Sequence, residues 1–132
     1  MLLDTNAFIW FVRGDARLKK SLREAIEDSS VAIKLSVASF WEMTIKHRIG
    51  KLPLPAPFST DPTQAIQTWC GRAAIGLLPV APEHVGHAMN LSFAQNDPFD
   101  RLIAATALVE KLELVTSDRR FLNCPGLRVL KA

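Results

Sequence analysis

The chain has 132 residues, of which 48% are hydrophobic and 22% charged, an ordinary composition for a globular protein. This length is enough for a substantial core, so we expect a single domain over residues 1–132. Its apolar runs are far shorter than the ~20 residues of a membrane-spanning helix, and the N-terminus lacks the basic, apolar and small-residue pattern of a secretion signal, so a cytoplasmic protein is expected. The net charge of +3 is only a weak indication of a polyanionic partner.

The first residues predict a buried strand. Residues 1–3 are an apolar run that ends at Asp4, as expected for a strand buried on both faces of a parallel sheet, and a helical pattern follows over residues 7–12. In such sheets ligands bind at the carboxyl ends of the strands. A carboxylate in this position also suits the start of the next helix. Asp4 is therefore either a helix cap or part of a binding site.

The rest of the chain alternates between helical and strand patterns. Helices are predicted at residues 16–28, 37–49, 62–74, 82–91 and 98–109, a short helical turn at 119–122, and strands at 31–35, 76–80, 112–116 and 127–130. Residues 51–57 contain three prolines and are predicted to be an extended loop packed on the domain. Pro79 favours an edge position for its strand. This alternation implies a parallel sheet with helices on both faces.

Glu42 lies beside the apolar face of the helix predicted at residues 37–49, four residues before Lys46. One interpretation is an exposed Glu42–Lys46 ion pair, which stabilises a helix by about 0.2–0.5 kcal/mol. The other is that Glu42 borders the buried face and points into a cleft at the end of the sheet. The local sequence does not decide between them.

Three more acidic residues lie at the ends of predicted elements. Asp118 comes after the strand predicted at residues 112–116, directly behind Ser117, and so repeats the arrangement at Asp4. Asp97 precedes a proline as a helix cap does, and Asp100 is in the first turn of the same helix, where a carboxylate complements the helix dipole. Each of these acids has a structural explanation as well as a functional one.

Acids from distant parts of the chain repel one another if the fold brings them to one edge of the sheet. Two carboxylates ~4 Å apart repel by roughly 4 kcal/mol at an effective dielectric of 20, so such a cluster needs protons or cations. Oxygen ligands without His or Cys favour Mg²⁺ or Mn²⁺. His84 and His87 have no third ligand at a metal-site spacing and are expected on the surface. Cys70 and Cys124 are expected to be reduced, partly buried thiols.

Four segments together resemble the PIN-domain ribonucleases and, among them, the VapC-type toxins of bacterial type II toxin–antitoxin pairs. They are Leu3-Asp4-Thr5-Asn6, Ser39-x-x-Glu42, the segment from Asp97 to Ala105, and Thr116-Ser117-Asp118-x-x-Phe121. Their order and spacing make the resemblance specific, and it covers the whole chain. It implies a three-layer α/β domain whose central, mostly parallel five-stranded sheet has the order 3-2-1-4-5 and is flanked by helices.

The resemblance also implies the residues of a site. The catalytic acids of the family correspond to Asp4, Glu42, Asp100 and Asp118, and Asp4, Asp100 and Asp118 are the implied ligands of Mg²⁺ or Mn²⁺. Residues expected to hold these acids or the waters of the metal are Thr5, Asn6, Asp97, Thr116 and Ser117, although Asp97 has the alternative role of a cap. The implied activity is a metal-dependent endoribonuclease that uses water as the nucleophile. RNA, a cognate antitoxin and a second copy of the chain are the implied partners.

Two other functions compete with this one. A PIN-like module that binds RNA or a protein without cutting would lack one of the acids, and none of the four is missing. A phosphatase with Asp4 as its nucleophile usually carries a second Asp two residues later, where this chain has Asn6.

The segment from Phe40 to Phe58 is rich in large apolar residues around three prolines. We expect part of this surface to be exposed on a single subunit and to form a two-fold dimer interface. The alternative is that the proline-rich loop folds over its own domain.

Overall fold

The computed structural model describes residues 1–28 and 30–132. Over these ranges the strands are β1 (Leu2–Leu3), β2 (Ile33–Ser36), β3 (Ile75–Leu78), β4 (Leu114–Thr116) and β5 (Val129–Lys131). The helices are α1 (Thr5–Arg13), α2 (Lys20–Glu27), α3 (Val37–Arg48), α4 (Pro62–Arg72), α5 (Pro82–Asn90) and α6 (Pro98–Glu110), with a 3-10 helix at Arg119–Asn123. Apart from α2, each predicted element is present with ends within two residues of the prediction. In the described part of the chain, no helix has both the length and the apolar character needed to cross a bilayer.

The strands form a parallel sheet in the order β3-β2-β1-β4-β5. The predicted order 3-2-1-4-5 is therefore confirmed, and so is the edge position of β3, which ends just before Pro79. Strand β1 pairs with β2 on one side and with β4 on the other. Its position between two strands agrees with the apolar run at the N-terminus, which predicts a strand buried on both faces.

Two apolar clusters cover the two faces of the sheet. On one face Leu3 belongs to a cluster that includes Ile66 of α4, and on the other Leu2 belongs to a cluster that includes Ile103 of α6. Successive side chains of a strand point to opposite faces, so two residues are enough for β1 to join both clusters. Both leucines are 0% exposed. The short strand β1 is thus the centre of the fold.

Helix α2 begins later than predicted. The pattern predicted a helix from residue 16 with Asp15 as its cap, but α2 begins at Lys20. The Asp15 carboxylate instead accepts hydrogen bonds from the backbone N–H of Arg17 (2.9 Å) and from its guanidinium (2.7 Å). These bonds close a tight turn in place of the first helical turn.

His84 is buried, with 1% of its surface exposed, so the prediction that it lies on the surface is wrong, whereas His87 is exposed as predicted. The Nδ1 atom of His84 accepts a hydrogen bond from the N–H of Ala81 (3.0 Å), and its Nε2 lies 2.8 Å from Oε1 of Glu110 on α6. Because Nδ1 is an acceptor, the proton of the neutral ring is on Nε2 and points at the carboxylate. His84 therefore fastens α5 to α6.

Both cysteines are buried and free, as predicted. Burial raises the pKa of the Cys70 thiol to about 11 and also raises the pKa of Cys124. Thiols with raised pKa values are poor nucleophiles near neutral pH. The two residues are therefore part of the core and not of a reactive site.

The proline-rich segment folds onto its own domain. Phe58 is 2% exposed, stacks on Trp69 at 5.8 Å between ring centroids, and meets the edge of Phe40 at 6.3 Å. The alternative to a dimer interface, that the proline-rich loop folds over its own domain, therefore describes most of this segment. Trp41 and Ile49 on the same stretch remain 61% and 59% exposed.

Candidate functional site

Strands β1 and β4 end at the same edge of the sheet, and Asp4 lies at this edge. It follows β1 directly and caps α1, because its Oδ1 accepts a hydrogen bond from the N–H of Ala7 (2.7 Å). Its Oδ2 accepts a hydrogen bond from Oγ1 of Thr116, the last residue of β4. Asp4 is thus a helix cap that also reaches the end of the neighbouring strand.

The Asp4 carboxyl group is 7% exposed, and this burial raises its pKa to about 6. Hydrogen bonds from Thr116 and Ala7 act in the opposite direction, while the carboxylates of Glu42 and Asp118 raise the pKa further. A carboxylate in this environment gains more from a nearby cation than an exposed one does.

Glu42 reaches the same edge from α3. It is 4% exposed, and its Oε1 accepts a hydrogen bond from Oγ1 of Thr5 at the start of α1 (2.6 Å). Its Oε2 accepts a hydrogen bond from Nζ of Lys46 (2.5 Å). The Glu42–Lys46 ion pair of the first interpretation is therefore present, but its carboxylate is buried and connects α3 to α1.

Asp97 and Asp100 begin α6 in different environments. Asp97 caps the helix, since its Oδ1 accepts hydrogen bonds from the N–H groups of Phe99 (2.9 Å) and Asp100 (3.0 Å). The Asp100 side chain is 20% exposed and, among the described residues, receives no hydrogen bond. Its burial raises the pKa of Asp100 to about 7, with further contributions from Asp97, Glu42 and Asp118. Asp100 is thus the acid of this edge that is least compensated by internal donors.

Asp118 follows β4 and caps the 3-10 helix through the N–H of Arg120 (2.9 Å). The Arg120 guanidinium also donates to it, with Nε 3.0 Å from each carboxylate oxygen and Nη2 2.5 Å from Oδ2. These hydrogen bonds hold the pKa of Asp118 below its usual value. Asp118 therefore differs from Asp4 and Asp100, whose pKa values are raised.

Two hydroxyl groups hold these acids in place. Thr116 Oγ1 donates to Asp4 and accepts from the N–H of Asp118 (3.0 Å), and Thr5 donates to Glu42. Within residues 1–28 and 30–132, neither of the predicted helpers Asn6 and Ser117 makes a side-chain hydrogen bond to a carboxylate, and their expected contact with waters of a metal stays a prediction. Asn6 is exposed.

Arg120 contacts the acids of this edge, and Arg101 holds the segment that precedes α6, although the sequence patterns do not single them out. Arg101, next to Asp100, donates to backbone carbonyl oxygens in the last turn of α5 and in the segment that follows it, those of Ala88, Leu91, Phe93 and Gln95, at 2.6–3.2 Å. The Arg120 guanidinium lies 3.8 Å from Asp100 in addition to its bonds with Asp118. The one available sequence signal for Arg120 is its Asp-x-Arg spacing from Asp118. The same spacing occurs at Asp15 and Arg17, so it does not indicate a site.

The donor groups at this edge suit a hard divalent cation. Carboxylate and hydroxyl oxygens without His or Cys are the ligands that Mg²⁺ and Mn²⁺ prefer. Within the described ranges, however, His, Cys, Asp and Glu side chains do not form a ready-made group of three or more metal ligands. Glu42 and Asp118 are instead directed at Lys46 and Arg120. The donor set fits the metal, and Asp118 would have to exchange its bonds with Arg120 for bonds to the ion.

A comparison of the sequence with protein families decides the assignment of the fold. The PIN domain model matches residues 1–127. The chain belongs to the PIN-domain family. The resemblance drawn from the four sequence segments is confirmed at this level, and the parallel sheet with the order 3-2-1-4-5 agrees with it.

Known proteins similar to this PIN domain include a curated ribonuclease and several complexes. Ribonuclease VapC22 of Mycobacterium tuberculosis is 28% identical over 123 residues, which cover 91% of this chain and 88% of that protein. DNA-bound VapBC from Salmonella typhimurium has a TM-score of 0.71 at 18% identity, covering 98% of this chain and 96% of that chain. A toxin–antitoxin complex from Klebsiella pneumoniae has a TM-score of 0.65 at 20% identity, covering 98% and 95%. At these identities the solved structures show a shared fold.

Proposed function

We propose that this protein is a metal-dependent endoribonuclease and the toxin of a toxin–antitoxin pair. The observation that carries the proposal is the acidic edge, the group formed by Asp4, Glu42, Asp100 and Asp118. These acids come from four parts of the chain; burial is the main cause of the raised pKa values of Asp4 and Asp100, and the neighbouring carboxylates raise both further. The similarity to ribonuclease VapC22 supports RNA as the substrate.

Asp4, Asp100 and Asp118 are the proposed ligands of Mg²⁺, and Mn²⁺ suits the same oxygen donors. The chemistry that such an ion supplies is neutralisation of charge on the phosphate and a lower pKa for the attacking water. Glu42 is the proposed residue that orients this water and accepts its proton, since Thr5 and Lys46 fix the positions of its two oxygens.

The contacts of Asp4 support its proposed role as the fixed point of the acidic edge. Its two oxygens are held from α1 and from β4 at the same time. A carboxylate held in this way needs little reorganisation when the substrate arrives, and preorganised charge is the main source of electrostatic catalysis. Asp100 has no such bonds among the described residues, so it is the ligand that changes its position when the metal binds.

The nature of the nucleophile determines the products. Because water attacks the phosphodiester and the 2′-hydroxyl does not, we expect RNA fragments with 5′-phosphate and 3′-hydroxyl ends. The test is to incubate the purified protein with total RNA, with Mg²⁺ or with EDTA, and to map the new 5′ ends. Cleavage is expected with Mg²⁺ and is expected to be lost in EDTA.

A matched pair of aspartates controls this experiment. Asp4→Asn should abolish cleavage, whereas Asp61→Asn should leave it unchanged. Asp61 is also a helix cap, accepting a hydrogen bond from the N–H of Gln64 (3.1 Å), but it is exposed and precedes α4. Full cleavage by Asp4→Asn would contradict the proposal. RNA binding without any new 5′ ends would favour the rival function of a non-catalytic RNA-binding module.

The proposed antitoxin is supported by the toxin–antitoxin complex among the solved structures of similar fold. We propose that the antitoxin inhibits by placing an Arg or Lys side chain at the acidic edge, where it takes the place of the metal. Inhibition by a basic antitoxin peptide should then weaken as Mg²⁺ is raised. Inhibition that is independent of Mg²⁺, with crosslinks far from Asp4, would contradict it. The cytoplasm is the proposed location, since the proposed RNA substrate is found there.

The proposed homodimer is supported by the apolar side chains that α3 exposes. Val37 and Trp41 lie one helical turn apart and are 37% and 61% exposed, and Ile49 at the end of the helix is 59% exposed. Neighbouring exposed apolar side chains of this size are typical of protein interfaces. A two-fold axis through α3 is the simplest arrangement that covers them in both copies.

A further inference from the structure

Arg120 is a cation inside the acidic edge. Its Nη2 lies 2.5 Å from Oδ2 of Asp118 and 3.8 Å from Oδ2 of Asp100. One guanidinium thus joins two of the three carboxylates that are proposed to hold the metal. The two acids belong to different elements, the end of β4 and the first turn of α6, so this bridge is a product of the tertiary fold.

A second Asp-x-Arg segment shows which part of this arrangement is local. At Asp15-Ala16-Arg17, the backbone N–H and the guanidinium of Arg17 bind Asp15 in the same way, with 2.7 Å between Nη2 and Oδ2. Pairing at this spacing is therefore a property of the turn and indicates no site by itself. Arg17 pairs with Asp15, whereas Arg120 also reaches Asp100. The contact with the second acid is what distinguishes Arg120.

The guanidinium uses carboxylate oxygens of Asp118 that a bound metal ion would also need. Both oxygens of Asp118 accept hydrogen bonds from Arg120, through Nε and Nη2. A bidentate fork of this kind uses the lone pairs in the carboxylate plane, which are also the lone pairs that bind a cation. The Arg120 side chain is 63% exposed, so it can turn away into solvent without disturbing the core.

We propose that Arg120 is an internal competitor of the divalent metal, and that its release from Asp118 and Asp100 sets the metal concentration at which the acidic edge is loaded. The inference rests on the proposed function, because it requires these acids to bind a metal. Arg120 is on this view a positioning residue, which acts through the two carboxylates and not on the RNA.

The test compares two neighbouring arginines by calorimetric titration of Mg²⁺ and Mn²⁺. Arg120→Gln should bind the metal about three- to ten-fold more tightly than the wild type, as expected for removal of a bidentate charge-assisted pair that is partly exposed. Arg119→Gln removes the same charge from the adjacent exposed position, where the described contacts include no carboxylate. Its metal affinity should stay within about two-fold of the wild type, the scale of a screened surface charge.

A second readout observes the release directly. In NMR spectra of the wild-type protein, the Nε–H signal of Arg120 should shift when Mg²⁺ is added, while that of Arg119 should not. Arg120→Lys keeps the charge without the planar fork, so its metal affinity should lie between those of the wild type and Arg120→Gln.

The outcomes separate the inference from the proposed function. If the wild type binds metal and the two glutamine variants change its affinity equally, with no selective shift of Arg120, the inference is overturned and the nuclease proposal stands. If the wild type binds no divalent metal, the nuclease proposal fails and the inference fails with it. Tighter binding by Arg120→Gln alone, with the selective shift, supports both.

Discussion

The hydroxyl of Thr116 donates a hydrogen bond to Oδ2 of Asp4, which lies 112 residues earlier in the chain. Oγ1 of Thr116 also accepts a hydrogen bond from the N–H of Asp118 (3.0 Å), and Thr116 is 1% exposed. One buried side chain therefore ties the end of β1 to the segment that carries Asp118. The separation between Asp4 and Asp118 depends on this side chain.

Replacing Thr116 should affect both stability and metal binding. Thr116→Val removes the donor to Asp4 and the acceptor for Asp118 inside the core, so we expect a loss of about 1–3 kcal/mol in the free energy of unfolding and weaker Mg²⁺ binding. Thr106→Val is the matched control, because Thr106 is also buried but donates to the carbonyl of Leu102 in its own helix (2.7 Å). Urea denaturation and metal titration measure the two effects. Equal effects of the two substitutions on metal binding would contradict this prediction.

Asp100 should make the stability of the protein depend on pH when no metal is added. Its pKa is about 7 in the folded protein and about 4 in the unfolded chain, so between these values the folded state binds more protons. The stabilising effect is complete below pH ~4 and is lost as the pH rises through about 7. Asp100→Asn should therefore match the wild type near pH 4 and exceed it by about 1–3 kcal/mol at pH 8, the scale set by the linkage of pKa to stability. Thermal melts from pH 4 to 8, with EDTA present, measure the difference.

Asp118→Asn is the control for the pH experiment and should behave in the opposite way. Hydrogen bonds from Arg120 lower the pKa of Asp118, so this group contributes stability that is present above the unfolded pKa and is lost as the pH falls. Asp118→Asn should consequently gain no stability at pH 8. A gain as large as that of Asp100→Asn would show that general charge repulsion, and not burial of Asp100, is responsible.

Arg101 should control the order of the segment between α5 and α6. Arg101→Met keeps the length of the side chain but removes the donors to the carbonyls of this segment, so we expect a loss of about 2–4 kcal/mol, because bonds to charged donors are the strong ones. Amide hydrogen exchange of residues 91–97 should become faster. Arg128→Met is the control, since Arg128 donates a single bond to the carbonyl of Lys111 (3.1 Å) and is exposed. Unchanged exchange in Arg101→Met would contradict the prediction.

The exposed apolar residues of α3 should decide the oligomeric state. Trp41→Glu and Ile49→Glu are expected to give folded monomers that still bind metal, because both side chains lie outside the core. Leu122→Glu is a control at an equally exposed position, 63%, on the 3-10 helix, and should remain dimeric. Light scattering at micromolar concentration distinguishes the two states. A monomeric wild type would contradict the proposed dimer.

The sequence by itself was sufficient for most of the secondary structure. Apolar runs located the strands, and the cap predicted at Asp97 is the observed one. Local rules succeed here because the hydrophobic periodicity of a strand, a helix cap and the effect of a proline each depend on residues that are close in the sequence. The strand order came from the resemblance to a family, since periodicity does not say which strands pair. Asp15 misled the prediction of α2 because a short side chain can close a turn as readily as it caps a helix.

The tertiary structure alone decided which polar side chains meet. The helical pattern placed Glu42 at the border of the apolar face, but its burial depends on Thr5 of another helix. His84 is buried because Glu110 supplies a partner 26 residues away. Arg120 reaches Asp100 because α6 and the 3-10 helix begin beside each other. A buried polar group is stable when it has a partner, and the partners of these residues are distant in the chain, so their positions follow from packing and not from any local pattern.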